Sequence, residues 1–542
     1  MIKLPKNIHD NLQFLSVEID AQLNHMQLFF EDGSAQSAEK VVSRSGYAYN
    51  LKARIHNAVV NQLLTADKNS RTLFRLRSLE FIANDLDRIA ELCRNCIKHT
   101  DMLESFEGLN TKHYSKLLRK IQLKVKLILP AVEHTDSKLA IEIGQTNFEL
   151  EQDYKKLLKK NATAIKNNRH KESIAPAIFI AYEFKQMGKA LVNICESIIS
   201  AKLGQLVSFE RYFSLQSLVS EMESGQKSFQ IKTVAETRSG SAISGISNPE
   251  TGYMGIYKGG LKQKLKEEKE GVNRWHEIYP GLAPKILAYK KKGESASLLI
   301  EHLPGNTFEK IVVNQSMGEI DVAQKQLNKT LRSIWTETHQ SKGISAQFMQ
   351  QLSKRMPEVY AVHPEFSNGA STICGNQILS FSQLIQQAET LEKKWLPPFS
   401  VYIHGDFNID NIIYDPVHNR INFIDLHRSC YMDYVQDIST FMISNYRLQV
   451  LDAPRRKRIM HVARAMYAMA RRYAVKYDDE SFDLRLALGL ARSFASSTRF
   501  ILDKSLAQAM FLRARYLLEL ALAVEPSKVS KFRIPLKEIF VE

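Results

Sequence analysis

VYIHGDFNIDNIIYD, residues 401–415, and NFIDLHRS, residues 422–429, decide how this chain is read. Asp406 and Asn411 stand five apart in HGDFNIDN, and Asp425 follows fourteen residues after Asn411. Between them, IIYDPVHNRINFID carries two apolar runs joined by an Asp-Pro turn, the pattern of a β-hairpin. A hairpin there folds Asp425 back beside Asn411. One carboxylate and one amide oxygen can then face a Mg2+ bound to ATP, while Asp406 stays free for a substrate hydroxyl. Mg2+ prefers few protein oxygens together with phosphate oxygens, which suits so sparse a set. Taken alone, His, Asp and Asn are ordinary turn residues, so the reading depends on what lies upstream.

From about Gly225, KSFQIKTVAETRSGSAISGISNPETGYMGIYKGG alternates apolar and polar residues between Gly, Ser and Pro breaks and predicts three short antiparallel strands. Lys258 ends the third, where it can pair with phosphates. Gly240 and Gly245 in RSGSAISG let backbone N–H groups approach a phosphate. A helix is expected over 261–278, and Leu265, Glu268, Val272, Trp275 and Tyr279 form its apolar stripe. That spacing selects Glu268 over Glu267 and Glu270 as the acid facing the sheet and Lys258. SLLIEHLPGN, residues 297–306, is expected to meet adenine through the backbone around Glu301 to Leu303. The chain beyond Gly305 is mostly helical.

This order matches the kinase arrangement H-R-D-x-x-x-x-N followed by D-F-G, with Gly405 replacing Arg and Leu426–His427 replacing Phe-Gly. HGD, with Asp433 and Asp437 in DYVQDIS, resembles the aminoglycoside phosphotransferase and choline-kinase-like superfamily of small-molecule kinases, over about residues 229–525. The resemblance implies an α+β bilobal protein-kinase-like fold using ATP and Mg2+. It makes Asp406 the catalytic base, His404 a loop organiser, Asn411 and Asp425 the metal ligands, and Asp437 a support of the catalytic loop. The acceptor would be a hydroxyl of a small molecule. Residues 451–520 hold 14 Lys and Arg against 7 Asp and Glu, which favours an anionic or neutral acceptor over a polycationic one. The competing reading is a catalytically weak nucleotide-binding scaffold in phosphate signalling, since kinase-like folds can serve without catalysis.

Residues 7 to about 222 show apolar spacing of three and four and predict helices near 8–30, 37–66, 69–100, 111–134, 136–167, 173–203 and 207–222. FIANDLDRIAELCRNCI at 81–97 aligns without gaps on FIAYEFKQMGKALVNIC at 179–195, so the region reads as a duplicated three-helix unit. It resembles the PhoU family of phosphate-signalling proteins, whose paired three-helix bundles carry acidic E/D-x-x-x-D motifs. The resemblance makes Asp87 and Glu91 in DRIAE candidate metal ligands. The aligned positions of the second repeat are Lys185 and Lys189, which rule out a symmetric site. Fusion to a kinase implies regulation by phosphate or metal sensing, or docking of a regulatory protein partner.

The expected boundaries are 1–225 for the helical domain, 226–305 for a β-rich small lobe and 306–542 for a large lobe holding the catalytic loop at 404–425. A length of 542 residues agrees with several domains. A formal charge of +16 marks a preference for anions, but no nucleic-acid module accompanies the basic stretch YKKLLKKNATAIKNNRHK at 154–171. No apolar run reaches membrane-span length, and the start lacks the apolar core of a signal peptide. The five cysteines are few and odd in number, which argues against a disulfide framework. Together these predict a cytoplasmic protein. Cys93 and Cys96 form a C-x-x-C on a helix with no second pair, which reads as two small core residues.

Overall fold

Apolar spacing of three and four over the first two hundred residues builds seven helices in the computed structural model of the chain. It describes residues 4–65, 70–103, 106, 109–166, 171–204, 206–209, 212–213, 230–236, 242–247, 254–292, 295–448, 450 and 452–540. The helices are α1 (Lys6–Asp32), α2 (Ala35–Ser43), α3 (Ser45–Thr65), α4 (Ser70–Thr100), α5 (Thr111–His134), α6 (Ser137–Lys166) and α7 (Lys171–Leu203). The chain divides into two compact units, Met1–Lys232 and Thr233–Glu542. Most of the helix expected at 207–222, and the boundary expected at 225, lie outside the described residues.

In the first unit α1, α3 and α4 pack together, as do α5, α6 and α7. Contacts of α4 with α7 and of α1 with α5 join the two triplets. The repeated segments occupy α4 and α7, and their matched residues share fates. Ile82 and Ile180 are buried, as are Ala83 and Ala181, while Phe81 and Phe179 stay exposed. The helix expected over 37–66 is broken at Arg44, whose Nε donates to Glu18 Oε1 at 2.8 Å. Glu18 is buried, and the break delivers the guanidinium that balances its charge. Cys93 and Cys96 are free and fully buried, and burial pushes the Cys93 thiol up to about 12, leaving no thiolate for metal or redox chemistry.

The second unit begins with a five-stranded sheet in the order β1-β2-β3-β5-β4, formed by β1 (Gln230–Glu236), β2 (Ala242–Ser247), β3 (Met254–Leu261), β4 (Ile286–Lys292) and β5 (Ser295–Glu301). Helix α8 (Lys262–Ile278) follows β3 and packs on β3, β4 and β5, burying Leu265, Val272 and Trp275. After β6 (Asn306–Thr307), helices α9 (Phe308–Asn314), α10 (Met317–Glu337) and α11 (Phe348–Val362) begin the large lobe. A small hairpin, β7 (Ser371–Ile373) and β8 (Asn376–Ile378), precedes α12 (Phe381–Lys394), and β9 (Val401–Ile403) leads into HGD. The hairpin expected from the sequence is β10 (Ile412–Asp415) and β11 (Arg420–Phe423), with Ile412 opposite Phe423. Then come β12 (Cys430–Met432), which pairs with β9, and α13 (Val435–Tyr446), α14 (Ala453–Lys476), α15 (Phe482–Ser497), α16 (Lys504–Leu522) and α17 (Leu536–Ile539). A continuous apolar core runs from Val272 and Trp275 of α8 through the large lobe to Phe540. The architecture is therefore an all-α pair of three-helix bundles followed by an α+β kinase-like unit. No described helix is long and apolar enough to cross a membrane.

Candidate active site

The small sheet and α8 place the first pair. Lys258, near the end of β3, and Glu268, on the buried stripe of α8, meet with Nζ 2.9 Å from Oε1. Glu270 instead faces outward, 3.5 Å from Lys266, so the apolar stripe distinguishes the two acids. Asp425 lies 3.5 Å from Lys258 through Oδ1. Burial alone would neutralise Lys258, but Glu268 and Asp425 outweigh it and raise the ammonium above its ordinary range. Burial likewise opposes ionisation of Glu268 and Asp425. Lys258 and His427 overcome it and hold both carboxyls below the usual carboxylate range.

One close backbone approach, a left-handed residue and a polar link fix this arrangement. A Cβ on Gly271 of α8 would stand 2.2 Å from the carbonyl oxygen of Leu426, so a glycine here lets the helix lie directly against the residue after Asp425. Asp425 itself has φ +64°, a left-handed conformation that costs a non-glycine residue energy and gathers at functional sites. Trp275 adds a polar link, since its Nε1 donates to Ser429 Oγ at 2.8 Å and Ser429 Oγ donates to the His404 carbonyl at 3.2 Å.

The HGD loop hangs from one carboxylate. Asp437, fully buried at the start of α13, accepts the backbone N–H groups of His404 at 2.7 Å and Gly405 at 2.9 Å. Burial pushes its carboxyl up to about 6 against these donors. His404 is buried, and its Nε2 lies 2.9 Å from the Ile424 carbonyl, tying HGD to the segment after β11 that carries Asp425. Gly405 has φ +81°, and a Cβ there would lie 2.3 Å from the Arg428 carbonyl oxygen. That contact brings Arg428 Nη1 to 3.2 Å from Asp406 Oδ2, while Asn408 Nδ2 donates to Asp406 Oδ1 at 2.8 Å. Asn411 Nδ2 donates to the Asp406 carbonyl at 2.9 Å, and the Asn411 carbonyl accepts from Ile424 N at 3.0 Å.

The donor set fits a hard cation. Asp425 is ionised and meets Lys258 and His427 through Oδ1, leaving Oδ2 without a described partner. The Asn411 amide is oriented by its own N–H bond to the loop. The residue that sequence reasoning missed is His427, visible only as the non-glycine in the third place of DLH. Its Nδ1 lies 3.3 Å from Asp425 and 3.7 Å from Glu268. Burial would strip its proton, but the two carboxylates raise it to about 9. Glu268, Asp425 and His427 are the one cluster of three potential metal-ligating side chains among the described residues, yet a protonated imidazole is an ion-pair partner, not a ligand.

Other candidates fall elsewhere. Gly240 lies outside the described residues. Gly245, expected in the turn beside the phosphates, is inside β2 opposite Ile256, because AISGIS continues the strand through it. Glu301 ends β5; its N–H donates to the Lys285 carbonyl at 2.9 Å and its carboxylate accepts from Lys285 N at 3.2 Å, and buried Leu303 follows it. In the helical unit Asp87 is held 2.5 Å from Lys52 and Glu91 lies 2.6 Å from Arg88. Each carboxylate has a cationic partner, and among the described residues the two are not part of a cluster of three ligating groups.

Residues 268–472 match the phosphotransferase enzyme family. The phosphotransferase match begins at Glu268 and takes in the catalytic loop, Asp425 and Asp437. A search of curated proteins gave no match. Among solved structures, aminoglycoside phosphotransferase APH(4)-Ia is similar at 11% identity, covering 58% of this chain and 100% of its own, with a TM-score of 0.38. An ethanolamine kinase from Plasmodium vivax is similar at 13% identity, covering 64% and 90%, with a TM-score of 0.34. PhoU from Pseudomonas aeruginosa is similar at 18% identity, covering 37% and 97%, with a TM-score of 0.35.

Proposed function

We propose that the second unit transfers a phosphoryl group from ATP to a hydroxyl of a small molecule, with Asp406 as general base. The observation that carries the reading is convergence. Lys258, Glu268 and Asp425 form one charge network, and the loop holding Asp406 and Asn411 is bonded to Ile424, the residue before Asp425. Phosphoryl transfer needs positioning and charge neutralisation more than covalent chemistry, and these elements supply both. Lys258 would meet nucleotide phosphates while Glu268 fixes its direction. His302 and Leu303 would meet the base. Asn411 and Asp425 would hold Mg2+, whose charge would offset that of the phosphates. Asp406 accepts the proton of the acceptor hydroxyl, and Arg428 and Asn408 orient its carboxylate.

The test is transfer from labelled ATP to a metabolite extract by the full chain. Asp406→Ala should lower transfer about 10²–10⁴-fold while Mg-ATP still raises the melting temperature. Unchanged transfer in that variant would refute the assignment. For the helical unit we propose a regulatory part through phosphate or a docked protein, and its test is a change in transfer rate when inorganic phosphate is added to the full chain.

A further inference from the structure

We propose that the acceptor carries an anionic group, a phosphate ester or carboxylate, held beside Asp406 by Arg355 and Arg492. The inference rests on the phosphotransferase reading and adds the chemical class of the substrate. Its starting point is an imbalance of charge in the large lobe. Arg492, on α15, is 4% exposed and has no carboxylate partner among the described residues. Its Nη2 donates to Gln436 Oε1 at 2.9 Å and lies 3.5 Å from Ser439 Oγ and from Thr440 Oγ1, all neutral groups. Its Nε is buried with no hydrogen bond, and the guanidinium lies over the Phe348 ring at 5.6 Å. A buried guanidinium without a counter-ion is costly and marks a place where an anion belongs.

Arg355 shares the place. Gln351, one turn earlier on α11, donates to the same Gln436 Oε1 at 3.2 Å, and α11 packs on α15. Arg355 makes no hydrogen bond or ion pair among the described residues, and it is partly open to solvent. Gln436 immediately precedes Asp437, the residue from which the HGD loop hangs, so both arginines stand close to the base. The charges acting on Arg492 are those of Arg355, Asp406, Arg428 and Asp437. Burial first, and then Arg355, bring its guanidinium down to about 9. Burial and the neighbouring Arg499 and Arg428 likewise lower Arg355. The nearby carboxylates are already engaged. Asp437 binds backbone N–H groups, Asp406 binds Arg428 and Asn408, and Glu358 binds Arg499. The nucleotide set belongs to the small sheet, α8 and the β10–β11 hairpin, whereas these two arginines belong to large-lobe helices around the base. A hydroxyl within reach of Asp406 therefore places the rest of its molecule against them. Guanidinium forks match phosphate and carboxylate geometry.

The test uses the full chain with Mg-ATP and matched acceptors: glycerol, glycerol 3-phosphate and glycerate, then glucose, glucose 6-phosphate and gluconate. An anionic member of one set should exceed its neutral parent in kcat/KM at least tenfold, and the two anions distinguish phosphate from carboxylate. Arg355→Gln should raise KM for that acceptor about 10- to 100-fold with KM for ATP unchanged, and Arg355→Lys should recover part of the loss. Equal use of neutral parents, or a KM change confined to ATP, overturns the inference and leaves the kinase reading standing. If no acceptor is phosphorylated, calorimetry with the same anions and a non-hydrolysable ATP analogue decides. Anion binding that is lost in Arg355→Gln upholds the site while the kinase reading fails. No binding, or binding indifferent to Arg355, overturns the site. Arg492→Gln is the second variant, interpreted only if its unfolding temperature matches wild type, since the Arg355 variants alone are enough to decide.

Discussion

Two lysine–carboxylate pairs, one in each unit, look alike by distance and differ in what surrounds them. Lys52 and Asp87 meet at 2.5 Å across α3 and α4, retaining 18% and 15% side-chain exposure, and beyond Asp87 the ammonium lies 4.6 Å over the Tyr49 ring. Lys258 and Glu268 meet at 2.9 Å with 8% and 3% exposure, and the contact continues to Asp425 and His427. In the first pair the two charges balance one for one, and Asp87 belongs to no cluster of three ligating groups among the described residues. In the second, two cations and two carboxylates are held together by burial, and Asp425 keeps an oxygen to spare. What separates the two pairs is deeper burial and membership of a larger cluster, not the number of free carboxylate oxygens.

The contrast can be broken most severely at Glu268. Glu268→Gln leaves Lys258 and His427 to share Asp425 in a buried place, and should destabilise the second unit by about 3–5 kcal/mol in denaturant unfolding. A double variant, Lys258→Met with Glu268→Leu, should regain most of that stability without regaining ATP binding.

Asp85 sharpens the comparison from the helical side, because there a half-buried carboxylate meets an amide and no cation among the described residues. Asn193 Nδ2 donates to it at 3.0 Å, and burial first, with Glu196 adding to it, raises the carboxyl from 3.8 to about 6. The folded state therefore favours the protonated acid. The penalty is fully present above about pH 6 and fades as pH falls toward 4. Asp85→Asn should stabilise the helical unit by up to about 3 kcal/mol at pH 7. Thermal unfolding from pH 4 to pH 8 should show the difference from wild type vanishing at the acidic end.

Gly271→Ala tests whether the network depends on backbone contact. The added Cβ would meet the Leu426 carbonyl, so α8 must shift, at a cost of about 1–3 kcal/mol. A nucleotide titration should show weaker Mg-ATP binding even where the fold survives. The smallest effect belongs to the first pair: Lys52→Ala should cost at most about 1 kcal/mol in unfolding and leave phosphoryl transfer unchanged.

What could be read in advance follows from range. The Lys258–Glu268 pair was accessible because helical spacing and strand order are local patterns, and the stripe through Leu265 and Trp275 carries Glu268 inward. The β10–β11 hairpin declared itself through DPVHNR for the same reason. The break at Arg44 was hidden because its cause is tertiary, a buried Glu18 twenty-six residues earlier that needs a cation. Gly245 misled because one glycine reads equally as a turn or as a strand interior. Arg492 was visible only as part of the basic excess over 451–520, and nothing in the spacing singled out Arg355. Their closeness to Asp406 comes from the packing of α11, α13 and α15, which no spacing rule encodes. The same holds for His427, whose charge is set by carboxylates from two separate elements.

The glycine of HGD has a consequence for how this loop could change. Its left-handed backbone and its contact with the Arg428 carbonyl leave no room for a side chain, so replacing it with arginine would not restore the HRD form. The Arg428 segment would have to retreat first, taking with it the cation beside Asp406. In mutational terms the two kinds of catalytic loop are separated by a valley, and a single substitution does not cross it.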